Sequence, residues 1–468
     1  MREMETVTTR ISWTPTRTLA SFASELRYKV IPPAAIAHVK TCLLDNLGCG
    51  LYAAHLPWCR ILFEMIQDEG GSGRVTCWGQ PARSTVTSAA LYNGTAGHAF
   101  EFDDHHHASH IHPGSMTIPA ALAAAEHVGG ISGRELLTAV VAGYEVATRI
   151  GMALGMAHFF RGYHHQGTVG PFASAAAVGR VLSLEPEQMV HALGTAASQS
   201  AGLMAAQEGG MVKRLHSGRA AQSGTLAALL ARRGFTGIPD ALEAEFGGFL
   251  ATLGGTTVDA SRLTAGLGEE WQILNTGFKA YPTCAPIHTV LDGALSLMAE
   301  YGFTADDCRE ITAYTTTMTF VHTGFPYEPV GATAAQMNLA FALASVLRFG
   351  ELGVEHFTDE AIRDRRTLTF LRERIRHVAD EELDKLGTAG RHASRLEIRL
   401  NDGRRLVRQV VHRKGSLQNP MTHAEVRTKF RRLATYVIPP ERVDRLEVLV
   451  DRLEELDDVR AVGELLAK

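Results

Sequence analysis

Alanine and glycine crowd the apolar, helix-periodic segments of the first 270 residues, above all at 167–179 and 194–202. Small side chains let helix axes come close, so these segments fold most economically as tightly packed helices around a buried centre. Within 35–51 the apolar positions Ile36, Val39, Leu43, Leu47 and Leu51 share a helical face. Ser132-Gly-Arg-Glu135 is a capping-box pattern opening the apolar segment 136–150, and the Ala/Leu-rich run 217–233 stops at Gly234, a predicted C-cap. Near residue 275 the character changes. Residues 308–322, rich in Thr, Ile, Val and Tyr, predict strand. Residues 394–400 alternate apolar and polar, Asn401-Asp402-Gly403 signals a hairpin turn, and 406–411 supplies the returning strand. Two helical stretches, 334–347 and 359–371, lie between, and helices return over 427–437 and 440–466. The expected fold is mainly α with an α+β lid. A large all-helical domain begins with 1–275 and is completed by C-terminal helices in 415–468; a smaller α+β domain, 276–414, is inserted between them.

A chain of 468 residues exceeds what one core usually organises, which agrees with more than one domain. Its net charge of −4 gives no electrostatic reason to expect nucleic acid or an anionic membrane as partner. No run of about 18 uncharged apolar residues predicts a membrane span. Glu3 and Glu5 beside Arg2 and Arg10 argue against a transit peptide, and no apolar signal core follows. Six cysteines without Cys-x-x-Cys spacing fit a reducing, cytoplasmic setting. The richness in Ala, Gly and Arg fits a GC-rich bacterial coding sequence.

Chemistry concentrates in four stretches. Between His98 and His112 fall six of the 21 histidines, with Glu101, Asp103 and Asp104. A packed core rejects so many ionisable groups without partners, and imidazole with carboxylate suits proton transfer or metal binding near neutral pH. A solubilising histidine run is the bland alternative, and no fixed metal-ligand spacing such as HExxH is present. The second stretch, Arg161-Gly-Tyr-His164-His165, opens a Gly/Ala-rich helix whose free N–H groups would receive an anion; in isolation His164 reads as a loop histidine. In the third, Met211-Val-Lys213-Arg214-Leu-His216, Lys213 and His216 are three residues apart and face one pocket or a solvated turn, with Gly209, Gly210 and Gly218 permitting close backbone approach. The fourth, Phe278-Lys279-Ala-Tyr281-Pro-Thr-Cys284-Ala-Pro-Ile-His288, is an extended segment before an apolar helix. Its lone Cys284 carries no local nucleophile signature and is read as packing.

In this order the four stretches, with Lys414-Gly415 and Asn419-Pro420-Met421 near the end, resemble the MmgE/PrpD family over roughly residues 15–460. The resemblance implies a helical domain with an α+β lid, an active site between them, and a homodimer. It also implies action on di- or tricarboxylates with no metal and no organic cofactor. Carried over by motif, the implied catalytic residues are Asp103, His112, His164, Lys213 and His288. Glu101, Asp104, His105, Arg161, His216, Lys279 and Tyr281 are implied around the substrate. Such a set can abstract a proton α to a carboxylate and hold the enediolate, with Lys213, Lys279 and Arg161 as the positive charge.

The chain departs from the family pattern in three places. Glu101 replaces the first acid of Asp-Phe-Asp-Asp, and His105 the Thr that often follows. The segment from Asp104 to His112 is one residue longer than in the decarboxylase. Phe341 stands where the decarboxylase has an active-site Tyr. The expected function is therefore a cofactor-independent lyase of the dehydratase type, acting on a 2-methylcitrate-like polycarboxylate. An epimerase of an amino- or imino-dicarboxylate comes next, and a cis-aconitate decarboxylase third. Outside catalysis, an inactive relative or a His-rich metal-binding protein are the alternatives.

Overall fold

The computed structural model describes residues 14–208 and 210–468, so the expectations placed on Arg2, Glu3, Glu5, Arg10 and Gly209 lie outside the described residues. The helical part gathers around His165–Val181, a helix buried along nearly its whole length and packed against Gly133–Phe160, Gly114–Val128 and Val212–Ala231. The small residues act as the sequence implies. A Cβ on Gly224 would run into the Pro171 carbonyl, and one on Gly218 into that of Leu91.

Both halves of the Ser132–Glu135 capping box form: Ser132 N–H donates to Glu135 Oε2 at 2.8 Å, and Glu135 N–H to Ser132 Oγ at 3.3 Å. The helix they open runs on to Phe160, with non-helical backbone at Gly155 (φ 61°, ψ −164°). By length and composition it would cross a membrane, yet it is almost wholly buried in the bundle. Gly234, at φ 89°, follows the end of Val212–Ala231, as its C-cap pattern predicts.

The C-terminal helices return to this bundle. His423–Ala434 lies along Pro33–Ala53, where Lys429 Nζ meets Asp45 Oδ1 at 2.7 Å, and Arg460–Leu466 packs on Gly114–Val128. The smaller part is a four-stranded sheet in the order Ile375–Ala379, Cys308–Thr315, Ser394–Leu400, Arg405–Val410. The first pair is parallel, with Ile311 opposite Ile375; the others are antiparallel, and the hairpin turns at Gly403 (φ 90°).

Two expectations are corrected here, and one strand was missed. Residues 308–322 are strand only to Thr315; Thr316 then caps the helix Thr317–Thr323 by accepting from Thr319 N–H, so a threonine-rich run changes period at a cap. The 334–347 stretch is two helices, Ala332–Met337 and Leu339–Phe349, broken at Asn338, whose side chain caps the second. Ile375–Ala379 was unforeseen: it is mostly exposed, so it lacks the apolar alternation that marks a strand. A further short pairing, His105 opposite Gly277 and His106 opposite Thr276, ties the histidine stretch to the point where the chain enters the smaller part.

Candidate active site

Between the bundle and the sheet-bearing part lies a cavity of about 500 Å³. Its walls come from the loop Glu101–His112, the end of helix Gly133–Phe160, the start of the next helix at His164, Lys213, the segment Lys279–Pro286, helix Thr317–Thr323, and the Arg391-His392 pair. The loop follows His98, the C-cap of helix Val86–Gly97. It turns through Glu101 (φ 53°) and His110 (φ 58°), left-handed backbone that costs a residue with a Cβ and is held only where surroundings over-determine it. Asp104 anchors its far end. This buried carboxylate accepts from Tyr144 Oη at 2.7 Å and from Gly114 N–H at 3.1 Å, at the start of helix Gly114–Val128. Burial first, then the nearby Asp45, pushes its pKa well up.

Asp103 sits between two imidazoles. Its Oδ2 is 2.8 Å from His98 Nδ1 and its Oδ1 is 3.3 Å from His112 Nδ1. Burial opposes ionisation of Asp103, but His112 and His98 outweigh it and hold the carboxyl well below its ordinary range. His98 is fully buried and desolvation lowers its pKa to about 4. It therefore serves as a neutral support, while the half-buried His112 reaches the cavity. Ligand-capable atoms of His98, Asp103 and His112 lie within 4.8 Å of one another, so among the described residues these three could hold a metal ion. His98 Nδ1 is already taken by Asp103 Oδ2, whereas Asp103 Oδ1 and His112 Nδ1, 3.3 Å apart, have no hydrogen-bond partner among the described residues.

Glu101 gathers the positive charge. Lys213 Nζ, Arg214 NH1 at 2.6 Å and Lys279 Nζ at 2.9 Å all meet its carboxylate. Burial alone would raise the Glu101 pKa; Lys213, Lys279 and Arg214 reverse that and hold it well below the carboxylate range. Desolvation lowers the Lys213 pKa, against which Glu101 works. Three cations on one carboxylate leave two positive charges in surplus. Gln336 braces the cluster, accepting from Arg214 NH2 at 3.1 Å and donating to the carbonyls of Phe100 and Pro282.

On the neighbouring wall His164 and His216 face each other with their Nδ1 atoms 2.8 Å apart. Only one proton fits between them, and burial lowers both pKa values, that of His164 strongly. From the lid side Arg391 donates to His107 Nδ1 at 3.0 Å and to the His107 carbonyl at 3.1 Å, while its Nε has no hydrogen-bond partner among the described residues.

Residues 17–261 match the MmgE/PrpD N-terminal domain and residues 281–455 the MmgE/PrpD C-terminal domain. The chain belongs to the MmgE/PrpD family. It is 34% identical to the cis-aconitate decarboxylase-like protein oryM of Aspergillus oryzae, over 97% of this chain and 96% of that protein. It is 31% identical to a cis-aconitate decarboxylase of Aspergillus terreus, over 96% and 95%. A 2-methylcitrate dehydratase of Escherichia coli is 25% identical over 91% and 92%. This MmgE/PrpD chain is accordingly an enzyme of the family's lyase type.

Of the twelve residues singled out from the sequence, Glu101, His105, His112, His164, Lys213 and Lys279 line the cavity, with Asp103 directly behind His112 and His216 behind His164. Four are placed elsewhere. Asp104 serves the helix start. Arg161 is an exposed helix C-cap stacked over Tyr163 and contributes no charge to the cavity wall. Tyr281 donates to Asp292 Oδ1 at 2.8 Å and packs edge-on against His288. His288 is fully buried, with Nε2 3.3 Å from the Thr283 carbonyl, and is off the cavity wall. From that motif it is Cys284 that reaches the wall; burial raises its thiol pKa to about 12, and its Sγ is 4.0 Å from His322 Nδ1. Phe341 is likewise a core residue stacked on Tyr327, and Met337 is what its segment presents to the cavity. The sequence reading missed Arg214, Gln336, Arg391, His392 and His322. Arg214 alone carried a signal, standing beside Lys213 in the third motif.

Proposed function

We propose that this MmgE/PrpD enzyme is a cofactor-independent lyase that decarboxylates an unsaturated polycarboxylate, as the names of its relatives at 34% and 31% identity suggest. The observation that carries the reading is the convergence, on one cavity, of the Asp103-held His112 and the cationic surplus around Glu101. The surplus charge, joined by Arg391, binds the carboxylates that stay on the substrate. His112, which reaches the cavity with Asp103 3.3 Å behind its Nδ1, is the acid that delivers a proton to one alkene carbon. The bond to the departing carboxylate breaks, its electron pair forms the new double bond, and carbon dioxide leaves. The His164–His216 pair, sharing one proton, supports the wall on which charge develops.

Dehydration of a 2-methylcitrate-like hydroxy acid is the second reading. It uses the same acid and cations but needs a base for the α-proton, and the His164–His216 pair, kept neutral by burial, fits that task. Phe341 carries no weight in this choice, because it lies in the core. The test is incubation with cis-aconitate and with 2-methylcitrate in deuterium oxide. Carbon dioxide release with one deuteron incorporated supports decarboxylation; a new alkene absorbance without gas supports dehydration. No change in either acid overturns both.

A further inference from the structure

Much of the cavity wall has no use for a carboxylate. Met156, Phe159 and Phe160 come from the last turn of the long helix, beyond its break at Gly155, and Met318 and Val321, three residues apart on helix Thr317–Thr323, come from the lid. The two helices face each other across the cavity: the Phe159 and His322 rings are 6.2 Å apart. Phe160 is 72% exposed and Val321 76% exposed. Large apolar side chains left open on two facing walls mark a place that an apolar ligand group covers. A small polyacid, hydrated at every carboxylate, has no such group. The volume, about 500 Å³, also lies in the range that encloses ligands larger than a six-carbon acid.

We propose that the substrate is a polycarboxylate bearing an unbranched alkyl substituent several carbons long. Its carboxylates lie at Lys213, Lys279 and Arg391, and its alkyl chain runs between the Met156–Phe160 turn and the Met318–Val321 face. This rests on the reading of the cavity as a polycarboxylate lyase site.

The test is a homologous series of one unsaturated tricarboxylate carrying hydrogen, methyl, butyl or hexyl, with calorimetric affinity and kcat/KM measured for each. Affinity is expected to rise by up to about fourfold per methylene, equivalent to about 0.8 kcal/mol each, until the cavity is filled. Val321→Asp and Phe160→Ser, both at exposed positions where the fold tolerates change, are expected to flatten that dependence. A hexyl acid that binds no tighter than the unsubstituted acid overturns the alkyl proposal, and turnover of the unsubstituted acid then leaves the lyase reading standing. Tight binding of the hexyl acid without turnover of any member supports the alkyl site and removes the lyase reading. Failure of every member to bind removes both.

Discussion

Replacing Glu101 by Gln keeps the shape of the side chain and removes the one anion shared by Lys213, Lys279 and Arg214. All four side chains are nearly or fully buried, so solvent screens little of what is lost. Leaving buried charge without its partner typically costs about 3–5 kcal/mol. For 468 residues unfolding as one unit, at about 2.1 cal/mol/K per residue, a loss of about 4 kcal/mol lowers Tm by about 4 °C. The same change makes the site more cationic, so a polycarboxylate should stabilise Glu101→Gln more than it stabilises the parent. Without Glu101, burial and the neighbouring cations also act on Lys213 unopposed, and the alkaline limb of kcat/KM should move to lower pH. Differential scanning calorimetry with and without tricarboxylate, followed by a pH profile, reads all three effects. A parent-like Tm together with an unchanged ligand-induced shift would refute the view of Glu101 as the organiser of the cationic cluster.

Three further outcomes follow from the site. Asp103→Asn should lower kcat by about 10² or more, because His112 loses the carboxylate beside it, and should also lower Tm, because a buried carboxylate held well below its ordinary range contributes stability; steady-state kinetics and calorimetry decide. Arg391→Met should raise KM by about 10- to 100-fold, the range of one charge-assisted hydrogen bond, and an unchanged KM would remove Arg391 from substrate binding. His106 is buried against Ser109, and desolvation lowers its pKa from 6.5 to about 4. A depressed folded pKa means stability that is complete above pH 6.5 and lost as pH falls toward 4, by up to about 3 kcal/mol. Urea unfolding of the parent and of His106→Gln should therefore show the parent losing ground to the variant between pH 6.5 and 4; a pH-independent difference would contradict the burial argument.

Local pattern was enough for the helices and hairpin. The Ser132–Glu135 box, the Gly234 stop and the Asn401-Asp402-Gly403 turn each act through neighbours a few residues away, so their outcome is written in contiguous residues. The Ala/Gly crowding announced close helix packing for the same reason, since it depends on side-chain size alone. Ile375–Ala379 was not legible, because its strand state comes from pairing with Cys308–Thr315 across 60 residues rather than from its own alternation. The motifs gathered the right segments at the cavity, but a motif does not say which way a side chain turns. Cys284 reaches the wall and His288, four residues on, does not; Arg161 faces solvent although His164 beside it lines the site.

Periodicity and turn signals were enough to read this chain as mainly helical with a smaller α+β part, and the family resemblance implied that imidazole, carboxylate and lysine share one site. Tertiary structure alone decided their pairings. Glu101 is a counter-ion to three cations and Asp103 a bridge between two histidines, because residues 98–112 are folded against Lys213 and Lys279, more than 100 positions away. It also decided that Met156–Phe160 and Met318–Val321 share that cavity, since the facing walls come from helices far apart in sequence that meet only through tertiary packing. Charge and polarity are properties of a residue; which charge meets which, and what apolar surface is left uncovered, are properties of the packed chain.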